Sequence, residues 1–161
     1  MTKTIVRTRH TGLVVESIDR SLKLYRDILG LKIWRREFEP KGSYIDHLVG
    51  IPGVKVEYAK LQVGDGTLVE LLQYHSHPEK GPGKPYPSNR HGASHIAFTV
   101  SDVESLHKQL VAGGIHCNSA PLVSPDGKVK VLYCHDLDGI ALELVEDLES
   151  PAGPPEAPRA R

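Results

Sequence analysis

Two stretches of the chain open with a histidine and continue with the same order of apolar and polar positions. The first begins at His10 in His-Thr-Gly-Leu-Val-Val, and the second begins at His95 in His-Ile-Ala-Phe-Thr-Val. In both stretches apolar residues then recur in steps of three and four, which places them on one face of a helix. The residues in these steps are Ile18, Leu22, Tyr25 and Leu29, and then Val103, Leu106 and Leu110. Each stretch therefore predicts a short strand followed by an amphipathic helix.

Each stretch also ends on an apolar strand that carries one acidic residue at the same place. The first ending is Gly66-Thr-Leu-Val-Glu70-Leu, and the second is Gly139-Ile-Ala-Leu-Glu143-Leu. Turn sequences rich in Gly and Asp precede both endings, and such turns connect the strands of hairpins. The sequence thus contains an internal repeat whose two copies each predict the order βαβββ.

The repeat defines the organisation of the chain. The modules cover about residues 7–74 and 92–147, and together they are predicted to form one α+β domain of residues 1–149, since 161 residues suit a single core. Residues 75–91 are rich in Pro, Gly, His and Lys and are predicted to be a loop between the modules. Residues 150–161 are rich in Pro, Ala and Gly and are predicted to be a disordered tail.

Composition narrows the class of partner. Twenty basic and twenty acidic residues give a formal net charge of zero, which favours neither nucleic acid nor an anionic membrane and leaves a small molecule as the expected partner. The chain has no apolar run of the roughly 20 residues that a transmembrane helix requires, and no secretory signal, so we expect a cytoplasmic protein. Cys117 and Cys134 are then predicted to be buried, reduced thiols.

The repeated histidines and glutamates point to one metal ion. A carboxylate buried alone in an apolar strand costs several kcal/mol unless a cation or hydrogen-bond donors compensate it. If the two copies pack about a pseudo-twofold axis, His10 and Glu70 of the first converge on His95 and Glu143 of the second. Two imidazoles and two carboxylates suit a divalent Zn, Ni, Co, Mn or Fe ion, and the sequence does not distinguish among these metals.

The repeat resembles the vicinal oxygen chelate superfamily, which includes glyoxalase I, methylmalonyl-CoA epimerase, extradiol dioxygenases and bleomycin-resistance proteins. The resemblance runs from about Arg7 to Val145 and depends on His10, which opens the first strand, and on three motifs. These are Leu22-Lys-Leu-Tyr25 leading to Ile28-Leu-Gly-Leu31, Gly92-Ala-Ser-His95-Ile-Ala-Phe, and His135-Asp-Leu-Asp-Gly-Ile-Ala-Leu-Glu143-Leu. It implies a U-shaped, eight-stranded cup around the ion, with the four repeated residues as its ligands.

Within that superfamily the sequence is most similar to the glyoxalase and epimerase branch, because Glu70 stands where that branch has Glu or Gln. The resemblance implies an isomerase, epimerase or lyase that abstracts a proton next to a metal-chelated carbonyl or hydroxyl of a substrate with vicinal oxygens, through an enediolate-like intermediate. Our hypothesis is that Glu143 acts as the general base and that Glu70 returns a proton to the opposite face of the substrate.

Two other functions remain open at this stage. An Fe(II)-dependent extradiol-type dioxygenase would use a triad of two histidines and one carboxylate, and a non-enzymatic antibiotic-binding protein would dispense with the ligands. The sequence also leaves open the substrate, the reaction subtype, contact of the 75–91 loop with substrate, and the oligomeric state, although the resemblance admits a homodimer.

Overall fold

The computed structural model describes residues 7–39, 41–79, 81 and 85–149. The predicted tail at 150–161 lies outside these residues, as do residues 80 and 82–84 of the predicted inter-module loop. Within the described part the chain folds into short helices and two separate β-sheets, so the predicted α+β class is confirmed. None of the described helices is long and apolar enough to cross a membrane.

The first module forms a four-stranded sheet. Its elements are β1 (Thr11–Val14), α1 (Ile18–Tyr25), β2 (Lys32–Phe38), α2 (Ser43–Val49), β3 (Val56–Gln62) and β4 (Leu68–Tyr74). The strand order is β1-β4-β3-β2, with β1 parallel to β4 and the other neighbours antiparallel. Apart from the additional helix α2, this is the predicted βαβββ order.

The second module repeats this plan. Its elements are β5 (His95–Thr99), α3 (Val103–Ala112), β6 (His116–Cys117), β7 (Leu122–Val123), β8 (Val129–His135) and β9 (Ala141–Asp147). The order β5-β9-β8-β6, with β7 also paired to β8, matches the first sheet except that two short pieces replace one strand. The predicted repeat is therefore confirmed in both modules.

The acidic residues of β4 and β9 lie between apolar neighbours, and a strand directs successive side chains to opposite faces of its sheet. In β9 the buried residues Leu142 and Leu144 alternate with Glu143, and in β4 the buried Val69 and Leu71 flank Glu70. The predicted helix positions Ile18, Leu22 and Tyr25 of α1 and Val103 and Leu110 of α3 are also buried. The acidic residues thus lie on the faces opposite the apolar core.

The edge strand β2 differs from the other long strands, because every one of its residues is exposed. A register shift between Ile33 and Arg35 interrupts its pairing with β3. The indole of Trp34, at that shift, is 56% exposed. Charged residues follow at Arg35, Arg36 and Glu37, which is typical of an edge strand that must not pair with another chain.

The chain divides into two compact units that do not coincide with the sequence modules. One unit contains the residues up to Asp19 together with Gly30–Glu79, and the other contains Arg20–Leu29 together with the described residues after Glu79. Most of α1 therefore belongs to the unit that carries the second sheet. Hydrogen bonds explain this grouping, since Arg20 Nη2 donates to Asp138 Oδ1 at 2.7 Å.

Asp136 organises the turn that leads into β9 and connects it to α1. Its Oδ1 accepts backbone N–H bonds from Asp138 and Ile140 at 2.9 and 2.8 Å, and its Oδ2 accepts the hydroxyl of Tyr25 at 2.9 Å. Burial raises the pKa of Tyr25 well above its usual value, and the negative charge of Asp136 raises it further. Because Tyr25 is completely buried, its hydroxyl needs the Asp136 carboxylate as an acceptor, and the carboxylate needs the hydroxyl as a donor.

We expect Tyr25→Phe to lower the free energy of unfolding by about 1–3 kcal/mol, because it leaves a buried carboxylate oxygen without its donor. Urea denaturation followed by circular dichroism measures this loss. Tyr44→Phe is the matched control, since Tyr44 is 73% exposed and should change stability by less than about 0.5 kcal/mol. Equal stabilities of the two variants would show that the Tyr25–Asp136 bond contributes nothing.

Candidate metal centre

The first predicted pair, His10 and Glu70, is brought together by the parallel pairing of β1 with β4. Gly12 of β1 lies opposite Glu70, and His10 is two residues before Gly12, on the same face of the strand. The distance from His10 Nε2 to Glu70 Oε2 is 2.9 Å. Glu70 is only 8% exposed, so its negative charge must be compensated locally.

Lys60 supplies part of that compensation and was not predicted as a site residue. It lies opposite Glu70 on β3, and its Nζ is 3.2 Å from Glu70 Oε1. The same ammonium group lies 4.8 Å from the ring centroid of Tyr58. The sequence contained a signal for Lys60, because Asp65 lies at the centre of the turn between β3 and β4. Residues at equal distances from that centre pair across the two strands, so residue 60 pairs with residue 70.

We expect Lys60→Met to lower the free energy of unfolding of metal-free protein by about 1–3 kcal/mol, because it leaves a largely buried carboxylate without its cation. Added Zn²⁺ or Ni²⁺ should recover much of that loss, since a bound cation replaces the ammonium charge. Lys128→Met is the control: it removes an exposed ion pair to Glu149, which contributes about 0–1 kcal/mol. Urea titrations with and without metal measure both variants, and equal losses would contradict the expected role of Lys60.

The second predicted pair has the same construction. β5 runs parallel to β9 with Ala97 opposite Glu143, and His95 is two residues before Ala97. The distance from His95 Nε2 to Glu143 Oε2 is 3.1 Å. The hydroxyl of Ser94 lies 2.7 Å from His95 Nδ1 and orients the imidazole ring, as the outer partners of metal-binding histidines do.

Tyr133 takes the place in the second pair that Lys60 takes in the first, because it lies opposite Glu143 on β8. Its Oη is 3.4 Å from His95 Nε2, and the two rings are in edge contact with centroids 5.3 Å apart. Burial raises the pKa of Tyr133, and the charge of Glu143 adds to the effect. The glutamate of one pair therefore faces an ammonium group and the glutamate of the other faces a phenol.

His135 has a different role from Tyr133, although both lie on the same face of β8. Its Nε2 is 2.9 Å from Asn118 Oδ1, its Nδ1 is 3.3 Å from the carbonyl of Gly139, and the residue is only 3% exposed. These contacts make His135 a buried support for the turn before β9. The side chain of Tyr133 reaches the His95–Glu143 pair, whereas that of His135 is bonded elsewhere.

An open pocket of about 460 Å³ in the second unit adjoins this pair. Among the described residues its lining combines hydroxyls, an amide, an imidazole and two aliphatic side chains. These residues are Ser88, Ser94, His95, Asn118, Ser119, Leu122, Val131 and Tyr133. The pocket therefore has room for a small polar molecule directly beside His95.

The donor atoms of each pair fit two neighbouring positions around a divalent ion. In an octahedral site, bonds of about 2.1 Å at a right angle place two neighbouring ligand atoms about 3 Å apart, and the separations in the two pairs are 2.9 and 3.1 Å. His10 Nδ1 is buried and has no hydrogen-bond partner among the described residues. No group of three or more His, Cys, Asp or Glu side chains able to hold a metal lies in the described part of the chain. The described residues therefore present the four predicted ligands as two His–Glu pairs, one in each module.

A third pair of the same residue types lies away from the predicted site. His75 Nε2 is 2.9 Å from Glu57 Oε2, but the other oxygen of Glu57 accepts from Arg36 Nε at 2.7 Å. The ring of His75 also packs against Phe38, with centroids 5.2 Å apart. Glu57 lies in the first module and His75 directly follows that module, and the described residues of the second module contain no equivalent pair, so this pair serves as an internal comparison for the two repeated pairs.

The fold agrees with the comparison to known proteins. The chain belongs to the Glyoxalase/Bleomycin resistance protein/Dioxygenase superfamily, whose sequence profile matches residues 7–144. It is similar in structure to a glyoxalase family protein of Bacillus cereus, with a TM-score of 0.82 and 24% identity, over 91% of this chain and 97% of that one. It is also similar to the trypanothione-dependent glyoxalase I of Leishmania major, with a TM-score of 0.61 and 23% identity, over 88% and 87% of the two chains.

Curated relatives have names that point to one activity. The chain is 28% identical to lactoylglutathione lyase of Schizosaccharomyces pombe, over 89% of its own length but only 48% of that protein. It is 25% identical to lactoylglutathione lyase of Haemophilus influenzae, over 89% of its own length and 95% of that protein. At the level of the family, these likenesses support a glyoxalase-like lyase.

Proposed function

We propose that this protein is a metal-dependent lyase or isomerase that removes a proton from a carbon next to a carbonyl or hydroxyl group of a small substrate. The observation that carries the proposal is the repeated His–Glu pair, built by the same strand register in both modules and with donor atoms about 3 Å apart. His10, Glu70, His95 and Glu143 are the proposed ligands. When bound, a divalent ion would supply Lewis-acid polarisation of the substrate oxygens.

We assign the general base to Glu143 rather than to Glu70. Glu70 has both oxygens engaged, one by His10 and one by the ammonium group of Lys60, which holds it as a fixed carboxylate. Among the described residues, the only ion pair of Glu143 is with His95. Glu143 therefore has fewer competing contacts than Glu70, and the pocket beside its partner His95 has room for a substrate near the pair.

The number of acid–base residues distinguishes a glyoxalase-type lyase from an epimerase. A lyase of the glyoxalase type moves one proton between adjacent carbons on one face of the substrate and needs only Glu143. An epimerase needs a second acid on the opposite face, and Glu70 is the residue we assign to it. The relatives named as lyases and the ion pair of Glu70 with Lys60 both favour the first reaction.

The relatives' name suggests the first substrate to test. Lactoylglutathione is a thioester of a 2-hydroxy acid. It forms from a thiol and a 2-oxoaldehyde, and the reverse reaction releases these two compounds. The 2-oxoaldehyde carries vicinal oxygens. We propose a 2-oxoaldehyde–thiol adduct as the substrate class. The hydroxyl and amide groups of the described pocket lining suit the hydroxyl and carbonyl oxygens of such an adduct.

We also propose that the protein works as a homodimer. Each module supplies two proposed ligands. In a dimer, the His–Glu pair of one copy could combine with the other pair of the second copy to give a site with four ligands. Closed dimers of this kind are the commonest symmetric oligomers. Size-exclusion chromatography with light scattering tests the dimer directly.

The proposed activity is tested by metal analysis followed by a solvent-exchange assay. Plasma mass spectrometry should find about one equivalent of metal per chain after reconstitution with Zn, Ni, Co, Mn or Fe(II). The loaded protein should then convert the methylglyoxal–glutathione adduct, and in D₂O the product should carry deuterium at the adjacent carbon, which receives the proton. Oxygen uptake with Fe(II) and a catechol, without proton exchange, would instead support the dioxygenase. Protein that binds none of the five metals would overturn the proposal.

A further inference from the structure

The two cysteines of the chain face each other across a pair of antiparallel strands. Cys117 of β6 is the direct partner of Cys134 of β8. The next pair along is Asn118 with Tyr133, and there the N–H of Asn118 donates to the carbonyl of Tyr133 at 2.9 Å. Hydrogen-bonded and non-hydrogen-bonded pairs alternate along such a ladder, so the cysteines occupy a non-hydrogen-bonded pair.

That position suits a disulfide. In a non-hydrogen-bonded pair the Cα atoms are about 4.5 Å apart and the side chains project on the same face, within the Cα range of about 4.4–6.8 Å that disulfides require. β6 has only two residues and lies at the end of the strand order, so β8 is its only neighbour in that order. Both cysteines are free thiols; Cys134 is fully buried and Cys117 is partly accessible.

We propose that Cys117 and Cys134 form a reversible disulfide between β6 and β8 when the protein meets a hydroperoxide. The accessible Cys117 reacts first: its thiolate attacks the peroxide oxygen, the O–O bond breaks, and Cys117 sulfenic acid and water result. The sulfur of Cys134 then displaces hydroxide from the Cys117 sulfur, and the Cys134 proton leaves with it as water. Overall, two thiols and one hydrogen peroxide give one disulfide and two waters.

The thiols are stable enough to stay reduced until a strong oxidant is present. Burial raises the pKa of the Cys117 thiol, and burial together with the nearby Cys117 raises the pKa of Cys134 to about 12. The reactive thiolate is therefore scarce at neutral pH, which makes the reaction slow but does not change its product. The position of the pair, and not unusual acidity, makes the disulfide the favoured end point.

The bond would stiffen one wall of the pocket beside His95. Asn118 and Tyr133 belong to the strand positions next to the cysteines, so their side chains project from the opposite face of the sheet and line the pocket. A covalent link between β6 and β8 would hold these two side chains at a fixed separation. Oxidation would therefore act on the substrate-facing wall without touching a proposed metal ligand.

Intact-mass spectrometry of the full chain tests the proposal. After treatment with excess hydrogen peroxide, wild-type protein should lose the mass of two hydrogens and, once denatured, accept no iodoacetamide; dithiothreitol should restore two alkylation sites. The Tm of the oxidised protein should rise by about 5 °C, because the cross-link restricts the unfolded chain. Cys117→Ser and Cys134→Ala should show neither change.

Two results would overturn the disulfide. One is the addition of oxygen atoms to wild-type protein with no loss of hydrogen, which indicates sulfinic or sulfonic acid at an isolated thiol. The other is a disulfide-linked dimer on non-reducing gels, which indicates that Cys117 reacts with a second chain. Cys117→Ser alone is sufficient for the control if Cys134→Ala does not fold, since neither variant can form the intramolecular bond.

Discussion

The double variant His95→Ala/Glu143→Ala should purify with less than about a tenth of the metal found in wild-type protein, and His10→Ala/Glu70→Ala should do the same. Each variant removes two of four proposed ligands, and the remaining two hold a divalent ion far less tightly, because loss of even a supporting residue costs about 10–100-fold in affinity. Plasma mass spectrometry of proteins reconstituted and dialysed together measures the difference.

The control for these variants comes from the chain itself. His75 and Glu57 form a His–Glu pair of the same length, 2.9 Å, outside the repeated positions. His75→Ala should therefore keep its full metal content. If His75→Ala loses as much metal as the double variants, or if either double variant keeps its metal, the assignment of the four ligands is wrong.

Mixing the two double variants separates the ligand assignment from the proposed dimer. If each site draws one pair from each copy, a mixed dimer contains one site with all four ligands and one with none, so it should bind half of the wild-type amount of metal. If each chain completes its own site, every site in the mixture lacks two ligands and no metal returns. Co-refolding followed by chromatography and metal analysis distinguishes the two results.

Glu143→Gln should keep most of its metal but lose about 10²–10⁴-fold in turnover of the 2-oxoaldehyde–thiol adduct. Glutamine retains a ligand oxygen of similar size, but its amide does not accept the substrate proton. Exchange of deuterium from D₂O into substrate, followed by NMR, measures the step that Glu143 is proposed to perform. Full exchange in this variant would exclude Glu143 as the base.

Glu70→Gln is the informative companion to that variant. In a lyase Glu70 acts only as a ligand, so the loss in turnover should be much smaller than for Glu143→Gln. In an epimerase both substitutions should reduce turnover to a similar extent, because each face of the substrate needs its own acid–base group. The ratio of the two losses therefore identifies the reaction subtype.

The sequence predicted the fold well where its pattern was periodic. Alternation along the strands placed Glu70 and Glu143 opposite the core, and helical spacing located α1 and α3. These predictions succeed because a repeated apolar face has only one way to be buried. The partners His10 and His95 followed from the repeat, since equal register in two modules gives equal pairs.

Features without such a pattern were not predicted. Helix α2 has seven residues and buries only Ile45 fully, so its apolar face is too short to be distinguished from a turn. The grouping of Arg20–Leu29 with the second unit depends on bonds between residues more than a hundred positions apart. The facing cysteines could not be paired either, because β6 is two residues long and no turn sets its register to β8.

Trp34 is the only tryptophan of the chain, and it lies on the exposed edge strand of the first unit. Its fluorescence therefore reports on the first unit only, because the second unit contains no tryptophan. Circular dichroism, by contrast, sums the backbone of both. Urea curves recorded with the two signals will coincide if the units unfold as one cooperative body and will separate if they do not. A single titration followed by both signals therefore measures the coupling between the two units.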